Sequence, residues 1–114
     1  MVPAVELNVS SRSQGDHVIV TPAGEIDLYT APKLQADLAA LIGDADPAAR
    51  FVIDMSSVEF CDSTGMNVLL SSLRLVRDRG GELELAAPRP AVQKILSVTG
   101  LDSVFSIRPA GDFS

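Results

Sequence analysis

The hydrophobic period along this chain switches repeatedly between about two residues and about 3.6, and that switching constrains the fold more than any other feature. Val5-Glu6-Leu7-Asn8-Val9-Ser10 alternates apolar and polar residues, as a half-buried strand does. Ser13-Gln14-Gly15-Asp16 is turn chemistry, and the β-branched run His17-Val18-Ile19-Val20-Thr21 follows it, so a hairpin is expected. Pro22 and Gly24 then break the pattern. Leu34, Leu38, Leu41 and Ile42 recur at helical spacing. Thr30 stands where an N-cap belongs, and Pro32 falls in the first turn, where a missing N–H costs nothing. Gly43, Asp44, Asp46 and Pro47 close that helix with a loop.

Arg50-Phe51-Val52-Ile53-Asp54 reads as a central strand covered on both faces. After a Ser56-Ser57 turn, Val58-Glu59-Phe60-Cys61 reads as a partly apolar connector. A long helix is expected from about Ser63 to Arg79, stopped by Gly80-Gly81. Glu82-Leu83-Glu84-Leu85-Ala86 alternates strictly, a further strand. Pro88 and Pro90 introduce a third helix with Val92, Ile95 and Leu96 on its apolar face, closed by Gly100. Val104-Phe105-Ser106-Ile107 forms a last short strand or a docked tail. A hairpin followed by strand–helix alternation argues an α/β sandwich built on a mixed sheet. The 114 residues fit one domain, expected over residues 1–114 with its core at about 5–107.

Charge removes whole classes of function. Nine Lys and Arg stand against 15 Asp and Glu, a formal net charge of −6. Nucleic-acid binding rests on neutralising phosphates with basic side chains, so a direct role on DNA or RNA is excluded, as is an anionic membrane surface. A hydrophobic fraction of 46% argues against disorder. No run approaches the roughly 18 apolar residues of a membrane span, and the opening residues lack a secretory pattern. A cytoplasmic protein is expected. Nothing in the sequence sets the oligomeric state.

Asp62-Ser63-Thr64-Gly65 sits where the chain turns into the long helix. Helix starts offer unpaired N–H groups and a positive dipole end, so a phosphate on Ser63 would be tolerated there. Gly65 removes side-chain bulk beside the hydroxyl and would let another protein approach. The same string also simply starts a helix, since Asp and Ser are preferred N-caps. Along that helix Met66, Leu69, Leu70, Leu73 and Val76 form the core stripe. Ser63, Asn67, Ser71, Arg74 and Asp78 share a polar face suited to docking, and Val68 and Leu75 lie off both stripes. Those two either meet a partner or pack on a neighbouring helix. Asp27, at a strand–helix junction, belongs to the same sheet edge if the sheet is wound in the usual way, and otherwise caps the helix after it.

Other chemistries find little support. The one histidine, His17, belongs beside a hairpin turn, and a Ser-His-Asp or Cys-His arrangement with Ser63 or Cys61 has no motif behind it. Cys61 reads as a small packing residue. No glycine-rich phosphate loop or metal-ligand spacing is present, so neither a catalytic residue nor a metal site is expected. A receiver-type acceptor at Asp54 would need an acidic cluster for Mg²⁺, which is not visible.

Gly24-Glu25-Ile26-Asp27 followed by Thr30-Ala31, then Phe51-Val52-Ile53-Asp54, Asp62-Ser63-Thr64-Gly65, Gly80-Gly81 before a strand and Thr99-Gly100-Leu101 after a helix stand in the order found in STAS domains. From about Val5 to Ile107 the chain resembles the anti-sigma factor antagonists among them. The resemblance implies a mixed sheet of four or five strands with helices mainly on one face. It implies a module that does no catalysis: the unmodified form binds an anti-sigma factor that is itself a serine kinase, which frees a sigma factor. The kinase supplies the ATP, so this chain needs no cofactor, and it phosphorylates Ser63, with Thr64 a minor alternative. The complex then separates, and a PP2C-type phosphatase restores the binding form. Asp27 would lie beside the phosphorylation site, and Asp62, Thr64 and Gly65 would shape its loop. With the polar helix face, the implied partner-binding set is Asp27, Asp62, Ser63, Thr64, Gly65, Asn67, Ser71 and Arg74. Met66 and Asn67 replace the Leu and the Gly, Ala or Arg that often follow the motif glycine, which alters the docking face. STAS domains that serve in transport or stress-signalling complexes without such a switch are the alternative.

Overall fold

The computed structural model describes residues 7–109. Strand β1 (Asn8–Gln14) and strand β2 (His17–Ile26) form an antiparallel hairpin closed by Gly15 and Asp16, with Gln14 opposite His17. Val5 and Glu6 of the expected first strand lie outside the described residues, and the strand extends to Gln14, further than the alternation suggests. After the hairpin come helix α1 (Ala31–Asp44), β3 (Arg50–Asp54), β4 (Val58–Cys61), helix α2 (Ser63–Asp78), β5 (Glu82–Ala86), helix α3 (Pro90–Val98), a 3₁₀ turn (Leu101–Ser103) and β6 (Ser106–Arg108). The sheet runs β1-β2-β3-β5-β6, and β4 also pairs with β2. Every pairing except the hairpin is parallel. The sheet is mixed, as expected, with six strands where four or five were anticipated.

Both extra pieces of strand have a local explanation. Pro22 does not end β2, because it stands opposite Val9 at a position whose N–H would point away from β1. On that other side β3 pairs only as far as Val20 and β4 begins only at Gly24, so no ladder bond is lost. Val58–Cys61 is a strand and not a connector. Its alternation is hidden by a register shift at Gly24/Glu25, where Glu59 and Phe60 both face outward between the buried Val58 and Cys61.

All three helices bury into one core. Leu34, Leu38 and Ile42 of α1, Met66, Leu69, Leu73 and Val76 of α2, and Val92 and Leu96 of α3 share a cluster with Val20, Ile26, Phe51, Ile53, Leu83 and Leu85 of the sheet. Helices therefore cover one face. The other face carries a small separate cluster of Ile19, Val52 and Ala86. Beside it the Arg108 guanidinium pairs with the Glu84 carboxylate across β5 and β6. Leu83 and Leu85 against Glu84 show the strand alternation that separates the two sides.

Helix ends are held from outside the helices. The α2 stop is a Schellman turn: Gly80 N–H donates to the Arg77 carbonyl and Gly81 N–H to the Val76 carbonyl, at 3.0 Å each. Gly80 takes φ +88°, a conformation that side-chain-bearing residues resist. Arg79, at the end of α2, donates from its guanidinium to the Ile42 and Ala45 carbonyls. It thereby satisfies the C-terminal carbonyls of α1, a helix with no basic residue in its own last turn.

Candidate functional site

The register of two parallel strands builds the site. Ile26 of β2 pairs with Cys61 of β4, and the Asp62 N–H donates to the Ile26 carbonyl at 3.0 Å. Asp27 and Asp62 thus leave the sheet side by side at the C-terminal ends of their strands. That is the edge where parallel sheets present their ligands. The sequence expectation that Asp27 and the Asp62-Ser63 string share an edge is met through this pairing.

Asp62 is the N-cap of α2, with extended backbone, and its Oδ1 accepts the Gly65 N–H at 3.0 Å. One of the free N–H groups of the helix start is therefore already taken by a carboxylate. Ser63 is the first residue of the helix and is exposed. Among the described residues no hydrogen bond to its hydroxyl is formed, so Oγ is free to meet another molecule. Thr64 is half-buried beside it. Asn67, Ser71, Arg74 and Asp78 are all exposed, as the polar stripe required.

Two expectations change, at Gly65 and Thr30, and the alternatives left open for Val68 and Leu75 are decided. Gly65 is buried, and a Cβ there would stand 2.5 Å from Ile26 Cγ2 and 2.6 Å from Cys61 Sγ. Its bareness lets α2 lie against the sheet and does not open a path for a partner. Gly65 fixes where Ser63 sits without itself being a contact surface. Val68 is 6% exposed and belongs to the core, whereas Leu75 is 42% exposed on the helix surface. Thr30 holds the N-cap position of α1 but its side chain does not cap that helix. Its hydroxyl donates to the Glu25 carbonyl at 2.8 Å and accepts the Asp27 N–H at 2.9 Å.

The Asp27 carboxylate binds the loop ahead of α1 and not the N–H groups inside the helix. Asp27 Oδ1 accepts from the Tyr29 N–H at 2.9 Å and the Thr30 N–H at 3.0 Å, and the Asp27 carbonyl accepts from the Ala31 N–H at 2.8 Å. The carboxylate winds its own loop tight. Sequence reasoning missed what that loop carries. Leu28 is 65% exposed and Tyr29 88%, and Phe60, beside Glu25 on β4, is 42% exposed. The available signal was two large apolar residues in succession outside any helical or strand period.

The rival chemistries fail on position. His17 opens β2 and Ile26 ends it, so roughly nine steps of about 3.3 Å put His17 about 30 Å from the Ser63 edge. No Ser-His relay spans that. His17 Nδ1 instead lies 3.0 Å from Asp16 Oδ1. Cys61 is fully buried, and burial, with the Asp62 charge as a smaller cause, pushes its thiol up to about 12. A thiol held neutral is a packing group and not a nucleophile. Asp54 Oδ1 accepts the Ser56 N–H at 3.0 Å, a turn-holding role. Among the described residues no group of three or more His, Cys, Asp or Glu could hold a metal ion, and no helix is long and apolar enough to cross a membrane.

Comparison with known proteins agrees with this architecture. A family profile described as "STAS domain" matches residues 8–112. The anti-sigma-B factor antagonist of Bacillus subtilis (strain 168) is 31% identical over 90% of this chain and 92% of its own length. That of Listeria monocytogenes serovar 1/2a is 33% identical over 91% of this chain and 89% of its own. The crystal structure of an anti-sigma factor antagonist from Mycobacterium paratuberculosis superposes with a TM-score of 0.83 at 31% identity, covering 94% of this chain and 89% of that one. With its mixed sheet, its one helical face and the paired junctions after Ile26 and Cys61, the chain belongs to the STAS domain family, among the relatives of the anti-sigma factor antagonists.

Proposed function

We propose that this chain is an anti-sigma factor antagonist whose unphosphorylated form binds an anti-sigma factor with serine-kinase activity, and that phosphorylation of Ser63 ends the binding. The observation that carries the reading is the exposed, unengaged Ser63 hydroxyl at the first position of a helix whose start is locked by Asp62 and Gly65. The names of the relatives support the partner class. In the transfer, Ser63 Oγ attacks the γ-phosphorus of ATP held by the kinase, and the bond to the β–γ bridging oxygen breaks. ADP leaves, and the hydroxyl proton passes to a base of the kinase. A PP2C-type phosphatase reverses the modification by hydrolysis. The chain supplies the acceptor and the docking face and needs no cofactor of its own.

The switch is local. A phosphoserine adds about −1.5 to −2 charge and a bulky group at an interface. The nearest cap already holds the Asp62 carboxylate, so the new anion meets a like charge within its own loop. Losing about 2.7 kcal/mol at that contact weakens binding about a hundredfold. The deciding experiment incubates the protein with a purified anti-sigma factor kinase and ATP, maps the phosphosite, and measures binding of two variants. Ser63→Asp should keep the wild-type circular dichroism and lose binding about a hundredfold, while Ser63→Ala should stay bound in the presence of ATP. Wild-type affinity in the Ser63→Asp variant would refute local exclusion. Phosphate found at Thr64 alone would move the switch by one residue.

A further inference from the structure

We infer that the Leu28–Tyr29 tip of the β2–α1 loop is the apolar anchor that docks into a hydrophobic, basic-rimmed pocket of the same kinase partner; this rests on the reading of Ser63 above. Tyr29 is the most exposed large apolar side chain among the described residues, at 88%, and Leu28 next to it is 65% exposed. Their exposure is held in place. The Asp27 carboxylate binds the Tyr29 and Thr30 N–H groups, and the Thr30 hydroxyl ties back to the Glu25 carbonyl. A loop fastened at that many points cannot fold its apolar residues back against the sheet. It therefore presents them already ordered, which lowers the cost of binding. Tyrosine suits this use, because it offers a large amphipathic contact area with only two side-chain torsions to freeze.

Position names the occupant. The tip begins two residues after Ile26, and Ser63 stands two residues after Cys61, the partner of Ile26 in the sheet. A protein that reaches the Ser63 hydroxyl therefore meets the same sheet edge from which the tip projects. Phe60, paired with Glu25 on the adjoining strand, is a further exposed large apolar side chain, at 42%. Charge sets the rim. Glu25, Asp27, Glu59 and Asp62 lie in the stretches 22–32 and 57–73, which contain no Lys or Arg. The complementary surface is an apolar pocket edged by Lys or Arg. Ser63 itself faces the nucleotide phosphates during transfer, so added phosphate is repelled there even though the rim is attractive.

Tyr29 is the chain's only tyrosine, and there is no tryptophan. Biosynthetic 3-fluorotyrosine therefore gives one fluorine NMR resonance reporting on position 29 alone. The probe is a purified serine-kinase anti-sigma factor from the same genome, with ADP bound. On adding it, the resonance should shift and lose its accessibility to a soluble paramagnetic agent. Tyr29→Ala should weaken binding about 30-fold, equivalent to about 2 kcal/mol, and Tyr29→Phe should restore most of it. In steady-state phosphorylation Tyr29→Ala should raise KM for this chain about 30-fold and leave kcat nearly unchanged, since the tip docks and does not react. Circular dichroism should be unaltered, because the side chain is exposed. An unmoved resonance in the complex, or binding by Tyr29→Ala within about twofold of wild type while Ser63 is still phosphorylated, would overturn the anchor and leave the switch standing. Failure of the wild type both to bind and to be phosphorylated at Ser63 would remove both.

Discussion

Replacing Gly65 by alanine should loosen the whole protein, although alanine is the better helix former. The new methyl would lie 2.5 Å from Ile26 Cγ2 and 2.6 Å from Cys61 Sγ, about 1 Å inside ordinary contact distance for each. Neither neighbour can swing away: Ile26 is β-branched, both are fully buried, and both sit in paired strands. Overpacking of this kind costs about 1–3 kcal/mol, and helix propensity returns at most about 1. The net expectation is a loss of about 1–2 kcal/mol. With a urea m-value of about 1.5 kcal/mol/M, the unfolding midpoint should fall by roughly 1 M at unchanged m, followed by circular dichroism. The steric account makes a sharper demand. Cys61→Ala removes one of the two obstacles, so in the Gly65→Ala background it should cost less than it does alone. The cycle should show a favourable coupling of about 1 kcal/mol. Purely additive effects, or a Gly65→Ala protein as stable as wild type, would show that the α2 start does not depend on this close approach.

Two further stability outcomes follow from the same framework. Arg79→Ala strips two charge-assisted hydrogen bonds from the C-terminal carbonyls of α1, and should cost about 1.5–3 kcal/mol; amide hydrogen exchange should show the lost protection concentrated in the last turn of α1. The Cys61 thiol is raised from 9.0 to about 12, so the folded state holds its proton where the unfolded chain releases it. Its contribution is complete below pH 9 and is lost as pH rises toward 12, at a slope of at most about 1.4 kcal/mol per pH unit. Urea midpoints measured between pH 9 and 11 should fall with pH in the wild type and flatten in Cys61→Ala.

The elements that were legible in the sequence are those whose pattern is local. Leu34, Leu38 and Ile42, the Met66–Val76 stripe, the strands Arg50–Asp54 and Glu82–Ala86, and the Gly80-Gly81 stop all have periods or punctuation that few competing conformations satisfy. β4 escaped because a bulge destroys the period that would reveal a strand, and β2 was cut short because proline and glycine are breakers only when a neighbour needs their hydrogen bond. Among the site residues, Ser63, Asn67, Ser71 and Arg74 were placed correctly on an outward face by helical arithmetic alone. Gly65 and Thr30 fall on another surface or in another bond than the sequence suggests, and Val68 stays open there between a partner and a neighbouring helix, since which side of an element meets a neighbour is decided by that neighbour.

Sequence alone determined the order of the helices and of the strands other than β4 and β6, the acidic balance and the string that starts α2, because each rests on residues close together in the chain. Tertiary structure decided that Asp27 and Ser63 share one edge, that Gly65 faces inward and that Tyr29 stands exposed. Each of those depends on the pairing of Ile26 with Cys61, residues 35 positions apart, whose register no local pattern encodes.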